Sequence, residues 1–359
     1  MAKNIDLHNH AIVIYHCDND GYLSGTLLRL YANSQGVHDD NIRYFRYNYG
    51  NINELETFID DMQAQGVLDE NTYVLMGDIS ISSVTAPTFK RLFNIVKDPT
   101  HKWWFDHHRS SIEVNNNDEE LSVINGVRSA EYCGAMLIYK MLHDEIVEGL
   151  ESRNIFGGID DYVVYLVDDH DRFVHEMPES RAFLAGSMLY EESMDPSEYF
   201  WIDMLAMCHN YDYSYELETI VDNGNIVIQY KKNDEKLSLK SLGFERDLVL
   251  KSKDKQAKSL KMYCINRAYN SDIFGELYEQ YPIVCCFTYN GKNWKYSLYS
   301  SRKDACCDKI AQAYSPAGGG HPGAAGFTRA ENIFNKLCVT TPPIKCNLED
   351  YFKDYAVTE

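Results

Sequence analysis

The feature that most constrains this chain is an aromatic run that ends abruptly in an acid and two histidines. Trp103-Trp104-Phe105 is followed at once by Asp106-His107-His108. Runs rich in aromatic residues are typical of short buried strands, so the three polar side chains should emerge together where such a strand ends. Open α/β sheets bind their ligands at the carboxyl ends of their strands. The segment therefore predicts an α/β fold with a functional site at this sheet edge.

Three further apolar runs also end in acidic or metal-binding residues. Segment 12–15 precedes His16, Asp18 and Asp20, segment 73–76 precedes Gly77 and Asp78, and segment 162–167 precedes Asp168-Asp169-His170-Asp171. One Asp after a strand is often a turn residue or a helix cap. Repetition at four places, with the spacings His-x-Asp-x-Asp and Asp-His-His, favours four strands that share one metal site.

These segments resemble the motifs of the DHH phosphoesterase superfamily, which is named for the triplet at 106–108. The run Gly318-Gly319-Gly320-His321-Pro322-Gly323-Ala324-Ala325-Gly326 is similar to the signature of the family's C-terminal DHH-associated domain. The motifs cover positions 12 to 327 in the family's order. Segment 169–183, with Met177-Pro178-Glu179-Ser180, and the residues Asn266, Ser271 and Gly275 resemble the nano-RNase (oligoribonuclease) branch most.

The resemblance implies a ligand set for two divalent ions, with Mn²⁺ favoured because histidine, carboxylate and water suit that metal. His16, Asp18 and Asp78 would hold the first ion, and Asp20, Asp78, His107 and Asp169 the second, so that Asp78 bridges them. His108 would face the scissile phosphate, and Asp106 would orient a neighbouring imidazole.

The fourth motif leaves Asp168, Asp169 and Asp171 open as the ligand. Asp169 is favoured because the family's pattern has an aromatic residue four positions after the ligand, where Phe173 stands. Asp171 is the reserve choice.

The glycine run and one arginine are predicted to bind substrate. Gly318, Gly319 and Gly320 would leave backbone N–H groups exposed to a bound anion, and His321 adds a titratable donor. Arg302 stands where related sequences carry an arginine for the substrate phosphate, and its planar fork suits that task. A plain surface arginine is the alternative for Arg302.

Length and pattern predict two domains in a chain of 359 residues. Alternating strands and helices predict a mostly parallel sheet with flanking helices over 1–211. The charged segment 212–261 is predicted to be a connector, which interleaved Asp and Glu favour over a basic nucleic-acid patch. Segment 262–335 is predicted to form a smaller α/β domain with a hairpin at Asn290-Gly291, followed by a tail over 336–359. The resemblance implies an active site in the cleft between the two domains.

Charge and hydropathy exclude several classes of protein. The net charge of −20 argues against binding of long nucleic acid, which relies on many Lys and Arg contacts to phosphate. No run approaches the ~18 apolar residues of a membrane span, so a soluble, unexported, cytoplasmic protein without a membrane partner is expected. The ten cysteines lack Cys-x-x-Cys spacing and are expected to be reduced. A homodimer is compatible with the sequence.

The resemblance implies a metal-dependent phosphodiesterase or exonuclease that hydrolyses short oligonucleotides (nanoRNA) to nucleoside monophosphates. Alternatives for the same site are a phosphodiesterase of linear or cyclic dinucleotides and a phosphatase of 3′-phosphoadenosine phosphate. A catalytically silent nucleotide-binding regulator is a third reading. Loss of a ligand would support it, but every expected ligand position is filled.

Overall fold

The computed structural model describes residues 9–49, 51–153, 155, 159–206, 211–251, 257–302, 306–315 and 318–334. The chain divides into two compact units, Met1–Ile228 and Gln229–Glu359. The boundary lies inside segment 212–261, the predicted connector, and the predicted tail 336–359 lies outside the described residues. Within the described ranges, no helix is both long enough and apolar enough to cross a membrane.

The first unit contains a parallel four-stranded sheet in the order β2-β1-β3-β4. Its strands are β1 (Ala11–His16), β2 (Ile42–Tyr47), β3 (Tyr73–Gly77) and β4 (Lys102–Phe105). Its helices are α1 (Asn19–Ser34), α2 (Ile52–Ala64), α3 (Ala86–Ile95), α4 (Arg109–Asn117), α5 (Glu119–Ser122), α6 (Gly134–Met141), α7 (His143–Ser152), α8 (Tyr162–Asp171), α9 (Ser180–Ser187) and α10 (Phe200–Ala206). Short 3₁₀ turns cover Asp39–Asn41, Pro99–His101 and Glu191–Met194.

Apolar side chains on both faces of the sheet explain why the predicted strands form. Val13 and Tyr15 of β1 pack with residues of α1 and α6, whereas Ile12 and Ile14 pack with residues of α2 and α3. Successive side chains of a strand point to opposite faces, so an unbroken apolar run suits a strand covered on both sides. The prediction of a parallel sheet with flanking helices is confirmed, and the ends of β1, β3 and β4 lie at one sheet edge.

The prediction of a fourth strand at 162–167 is wrong, because these residues form the start of helix α8. Val163, Val164, Leu166 and Val167 are buried, while Tyr165 is exposed. This is the pattern of a helix buried on most of its surface. A short run rich in β-branched and aromatic residues does not distinguish a buried strand from a buried helix by periodicity, and tertiary packing decided the outcome.

A largely buried ionic network ties α1 to three later segments of the first unit. Asp39 accepts hydrogen bonds from Arg29 Nη2 at 2.6 Å and from Asn33 Nδ2 at 3.0 Å, and it also pairs with Arg153. Arg29 Nη1 donates to the carbonyl oxygens of Pro196 and Glu198. Burial alone would raise the pKa of Asp39, but the arginines and Asn33 outweigh it and lower the pKa to about 2.

We expect Asp39→Asn to lower the free energy of unfolding by about 2 kcal/mol at pH 7, because two largely buried guanidinium groups lose their counterion. The lowered pKa means that this stabilisation is present above about pH 4, the ordinary value for Asp, and is lost as pH falls toward 2. Urea unfolding at pH 7 and at pH 2.5 measures both effects. Asp40→Asn, at an exposed neighbouring carboxylate, is the control. A difference between Asp39→Asn and the native protein that persists undiminished at pH 2.5 would contradict the assignment.

The second unit contains a mixed six-stranded sheet in the order β5-β6-β7-β8-β10-β9. Its strands are β5 (Gly243–Lys251), β6 (Ala257–Ile265), β7 (Ile283–Tyr289), β8 (Trp294–Tyr299), β9 (Gly319–His321) and β10 (Ala324–Arg329). Helix α11 (Tyr211–Leu242) precedes this sheet, α12 (Leu277–Gln280) and α13 (Cys307–Tyr314) lie later in the chain, and Ser271–Phe274 forms a 3₁₀ turn. The pairs are antiparallel except β6 with β7, and the predicted hairpin at Asn290-Gly291 joins β7 to β8.

Candidate metal centre

Three strand ends deliver their polar side chains to one cluster, which we call the metal centre. Residues at the ends of β1, β3 and β4, together with Asp171 at the end of α8, contribute imidazole nitrogens and carboxylate oxygens that lie within 4.8 Å of one another in three overlapping sets. The sets are His16 with Asp18 and Asp78; Asp78 with Asp106, His107 and His108; and Asp20 with His107 and Asp171. The sequence patterns after β1, β3 and β4 therefore converge as predicted.

Asp78 lies between the two groups of histidines. Its Oδ2 is 3.6 Å from His16 Nδ1, and its Oδ1 is 3.4 Å from His107 Nε2 and 3.7 Å from His108 Nδ1. The residue is 1% exposed, and its backbone has a φ of 56°, in the left-handed region that Asp tolerates better than most residues. Such backbone strain concentrates at functional sites. One carboxylate thus offers an oxygen to each side of the metal centre.

Asp18 and Asp20 both bind backbone N–H groups while they face the cluster. Asp18 caps α1 by accepting a hydrogen bond from Gly21 N at 3.0 Å. The alternative explanation of an Asp after a strand, that it caps a helix, therefore also holds at this position. The two oxygens of Asp20 accept hydrogen bonds from Gly134 N and Ala135 N, each at 2.7 Å, at the N-terminus of α6. This helix end holds the buried carboxylate in place.

Gly134 is required by this close approach. A Cβ at position 134 would lie 2.9 Å from the Cβ of Asp78 and 3.1 Å from Oδ2 of Asp20. A side chain there would push the two carboxylates apart. No sequence motif indicated this glycine, since the contact joins residues more than 50 positions apart.

His108 is held by Asp106. The distance from His108 Nδ1 to Asp106 Oδ1 is 2.8 Å, and Asp106 is fully buried. This hydrogen bond raises the pKa of His108, and together with the charge of Asp106 it outweighs burial, which alone would lower that pKa. The geometry is that expected of a carboxylate that orients an imidazole, as predicted for Asp106.

The other two histidines are surrounded by carboxylates. Burial alone would lower the pKa of His16, but the hydrogen bond with Asp18 and the negative charges of Asp18 and Asp78 raise it to about 10. Burial acts in the same way on His107, and Asp78, Asp20 and Asp171 raise its pKa to about 10. Burial and the neighbouring acids raise the pKa of Asp20 as well. The centre therefore has an excess of acidic groups and a strong demand for positive charge.

The residues fit a divalent cation. Among the described residues of the centre, Asp78 Oδ1, Asp106 Oδ2 and Asp171 Oδ2 are buried without a hydrogen-bond partner. Buried carboxylate oxygens need a hydrogen bond or a cation. Imidazole and carboxylate together suit Mn²⁺ and similar ions.

The structure corrects the choice within the fourth motif. Asp169 does not reach the metal centre, because its Oδ1 accepts hydrogen bonds from Glu176 N and Met177 N, and its Oδ2 accepts one from Ser180 Oγ. Asp171 lies in the centre instead, with Oδ2 at 3.3 Å from His107 Nε2. Positions 169 and 171 differ by about 200° around a helix, so they cannot share a face. Asp168 is also engaged elsewhere, by Arg172 and by Cys133 N.

No protein-family model matches the sequence, and no curated protein is significantly similar to it. Among solved structures, the DHH domain of a member of the s1p family of ribosomal proteins matches with a TM-score of 0.50 and 16% identity, over 89% of this chain and 82% of that chain. The chain has the DHH-domain fold.

Two other solved structures are more distant matches. An exopolyphosphatase-related protein from Bacteroides fragilis has a TM-score of 0.44 and 13% identity, over 97% of this chain and 92% of that chain. A pGpG-specific phosphodiesterase from Vibrio cholerae has a TM-score of 0.37 and 12% identity, over 90% of this chain and 94% of that chain.

In this DHH-type chain the glycine run of the second unit is a hairpin and not a loop. Gly319–His321 pairs antiparallel with Ala324–Gly326, and β9 is an edge strand of the described sheet. A Cβ at Gly320, where φ is 139°, would lie 2.5 Å from the carbonyl oxygen of Ala324. Close packing within the hairpin thus explains the glycine at position 320. An edge strand also leaves part of its backbone N–H groups unpaired by the sheet.

The remaining predicted substrate residues, His321 and Arg302, belong to the second unit. His321 is exposed, and Arg302 follows β8, where its backbone N–H donates to Ser300 Oγ at 3.3 Å. Arg302 itself is half-buried. Their binding of substrate stays a prediction.

One residue beside the metal centre had no sequence signal. The ring of Tyr49 lies 5.0 Å from the ring of His16 and 6.4 Å from that of His108, between centroids. Its hydroxyl accepts a hydrogen bond from Ser80 N at 3.3 Å, and its φ is 54°. A tyrosine after an unpredicted strand, β2, is ordinary in a sequence. Only the sheet order, which places β2 beside β1, brings it to the centre.

Proposed function

We propose that this protein is a metal-dependent phosphodiesterase of the nano-RNase type, which hydrolyses short oligonucleotides to nucleoside monophosphates. The observation that carries the proposal is the metal centre, in which three histidines and five aspartates converge and three buried carboxylate oxygens lack a hydrogen-bond partner among the described residues. The DHH-domain fold and the glycine-histidine signature at 318–326 support the choice of chemistry.

The proposed ligands differ from the sequence prediction at one position. His16, Asp18 and Asp78 would hold one ion, and Asp20, Asp78, His107 and Asp171 the other, since these are the groups that the structure brings together. Two such ions would lower the pKa of a bound water and neutralise phosphoryl oxygens during in-line displacement.

The chain's own residues supply orientation. The N-terminus of α6 fixes Asp20, and Asp106 fixes the ring of His108. With Nδ1 bonded to Asp106, the remaining nitrogen of His108 can donate a hydrogen bond to a phosphoryl oxygen. Both devices position groups before substrate arrives and so reduce the reorganisation that catalysis requires.

An assay with purified protein tests the proposal. The substrates are RNA and DNA of two to about twenty-five nucleotides, cyclic dinucleotides and 3′-phosphoadenosine phosphate, each with Mn²⁺ or with a chelator. We expect metal-dependent release of nucleoside monophosphates, fastest from the shortest oligonucleotides. Hydrolysis of only cyclic dinucleotides or 3′-phosphoadenosine phosphate would replace the proposed substrate. No hydrolysis despite bound metal would indicate the silent regulator.

For the second unit, we expect His321→Ala and Arg302→Ala each to lower kcat/KM for dinucleotides by about tenfold, a loss of roughly 1.4 kcal/mol in transition-state binding. The reason is that these residues are proposed to bind the nucleotide and not the reacting atoms. Bis-p-nitrophenyl phosphate, which lacks a nucleotide, should be hydrolysed almost normally. Lys295→Ala, at an exposed cation of the same sheet, is the matched control. Equal losses on both substrates would remove the nucleotide-binding role.

A further inference from the structure

A pocket of about 190 Å³ adjoins the metal centre on the side of α8. It lies within the first unit, and its lining combines two kinds of residue. The polar ones are Asp18, Asn19, Asp20, His170 and Asp171, and the apolar ones are Val167, Phe173 and Leu184. Three of these, Asp18, Asp20 and Asp171, belong to the metal centre, so a molecule in the pocket would lie beside the proposed ions.

Two lining residues have buried polar atoms that the described chain leaves unpaired. These atoms are Asn19 Oδ1 and His170 Nδ1. An unpaired buried polar atom costs free energy, of the order of a lost hydrogen bond. Neither residue has a role in the metal centre. A ligand with polar groups at its edge would satisfy both atoms.

Phe173 contributes an exposed aromatic ring to the pocket. The residue is 79% exposed and has a φ of 57°, and His175, two positions later, also has a φ of 57°. Large apolar side chains are normally buried, and left-handed backbone is unfavourable for such residues. A side chain and backbone in such unfavourable states persist only when contacts from the surrounding residues hold the segment in place.

Asp169 supplies that support. Its carboxylate accepts hydrogen bonds from Glu176 N at 2.7 Å and Met177 N at 3.1 Å, and its carbonyl oxygen accepts one from Val174 N at 2.9 Å. Asp169 therefore ties down the loop that carries Phe173. The loop is built to hold an aromatic ring in the open beside the metal centre.

We propose that this pocket is a nucleobase subsite, in which one base of the substrate lies against the ring of Phe173 while the adjacent phosphate reaches the metal centre. A base is neutral and flat, with a π-face for the ring and polar edge atoms for Asn19 and His170. A phosphate would be repelled by the carboxylates that line the pocket. A purely aliphatic group would leave the two buried polar atoms unpaired. The subsite rests on the proposed function, because it requires a nucleotide substrate.

Base deletion combined with mutation tests the subsite. The substrates are a dinucleotide and its two analogues in which one base is replaced by hydrogen. Phe173→Ala should raise KM for the dinucleotide about tenfold and have little effect on one of the two analogues, because the contact it removes is already absent there. Phe173→Tyr should restore the native KM, and Phe173→Leu should not. Val174→Ala, at an exposed apolar neighbour outside the pocket, is the control.

Two results would overturn the subsite. One is an equal loss on the dinucleotide and on both base-deleted analogues, which would mean that the loop supports the metal centre. The other is full activity of Phe173→Leu, which would exclude stacking on an aromatic ring.

A binding measurement separates failure of the subsite from failure of the proposed function. Native protein should quench the fluorescence of 2-aminopurine riboside monophosphate, measured with Mg²⁺ and without turnover. Phe173→Ala should bind this nucleotide about tenfold more weakly. If dinucleotides are not hydrolysed but this difference is found, the proposed reaction fails and the subsite stands. If hydrolysis is found without this difference, the subsite is wrong and the reaction stands.

Discussion

Asp78→Asn should reduce kcat/KM by more than about 1,000-fold, equivalent to roughly 4 kcal/mol of transition-state stabilisation, and leave the protein folded. The reason is that Asp78 is the one carboxylate of the described centre that faces His16 with one oxygen and His107 with the other. Its loss would affect both proposed ions. Turnover of a dinucleotide and metal content by mass spectrometry measure the two effects, and the variant should retain fewer than two ions per chain.

The stability of the metal-free variant gives an independent readout. Burial raises the pKa of Asp78 above its ordinary value, so the ionised form is less favourable in the folded chain than in the unfolded chain. This penalty is small below about pH 4 and grows as pH rises, which means that Asn should equal or exceed Asp in metal-free stability at pH 7. Added Mn²⁺ should stabilise the native protein more than the variant.

Asp98→Asn is the matched control for Asp78. Asp98 precedes the amino end of β4, where its carboxylate accepts a hydrogen bond from Thr100 N at 2.8 Å, far in the sheet from the carboxyl ends. It should affect neither metal content nor turnover. Substantial Mn²⁺-dependent activity in Asp78→Asn would exclude the bridging role.

The second large effect is expected at Asp171 and not at Asp169. Asp171→Asn should lower kcat/KM by about 100-fold or more, near 2.7 kcal/mol, and reduce metal content, because its carboxylate lies with the carboxylate of Asp20 and the imidazole of His107 in the centre. Burial is the main reason that the pKa of Asp171 rises to about 6, and a bound cation would favour its ionised form.

Asp169→Asn should instead lower stability and leave metal content unchanged. Burial alone would raise the pKa of Asp169, but Ser180 Oγ and two backbone N–H groups outweigh it and lower the pKa. Its stabilising contribution is therefore present at neutral pH and lost as the acid is protonated. We expect a loss of about 2 kcal/mol, since a buried charged acceptor of several hydrogen bonds is removed.

The two variants serve as controls for each other. Without metal, Asp169→Asn should unfold at a lower temperature than Asp171→Asn. Asp171→Asn should hold less metal than Asp169→Asn. Loss of metal from Asp169→Asn with normal metal content in Asp171→Asn would mean that Asp169 is the ligand of the fourth motif, as the sequence predicted.

The sequence alone determined the part of the metal centre that depends on strand ends. Buried parallel strands have continuous apolar runs, and the residues that follow their carboxyl ends meet at one edge of the sheet. His16, Asp78 and His107 could therefore be placed together without coordinates. The alternation of strands and helices predicted the parallel sheet with flanking helices, and Asn290-Gly291 predicted the hairpin.

Tertiary structure decided those features for which the local sequence pattern is compatible with more than one structure. Segment 162–167 is compatible with a strand or a buried helix, and packing selected α8, which turned Asp171 toward the centre and Asp169 away from it. The approach of Gly134 to Asp20, and of Tyr49 to His16, joins segments distant in the sequence, so neither leaves a motif. Contacts of this kind depend on which elements pack side by side. Sequence periodicity records only which side of each element is buried.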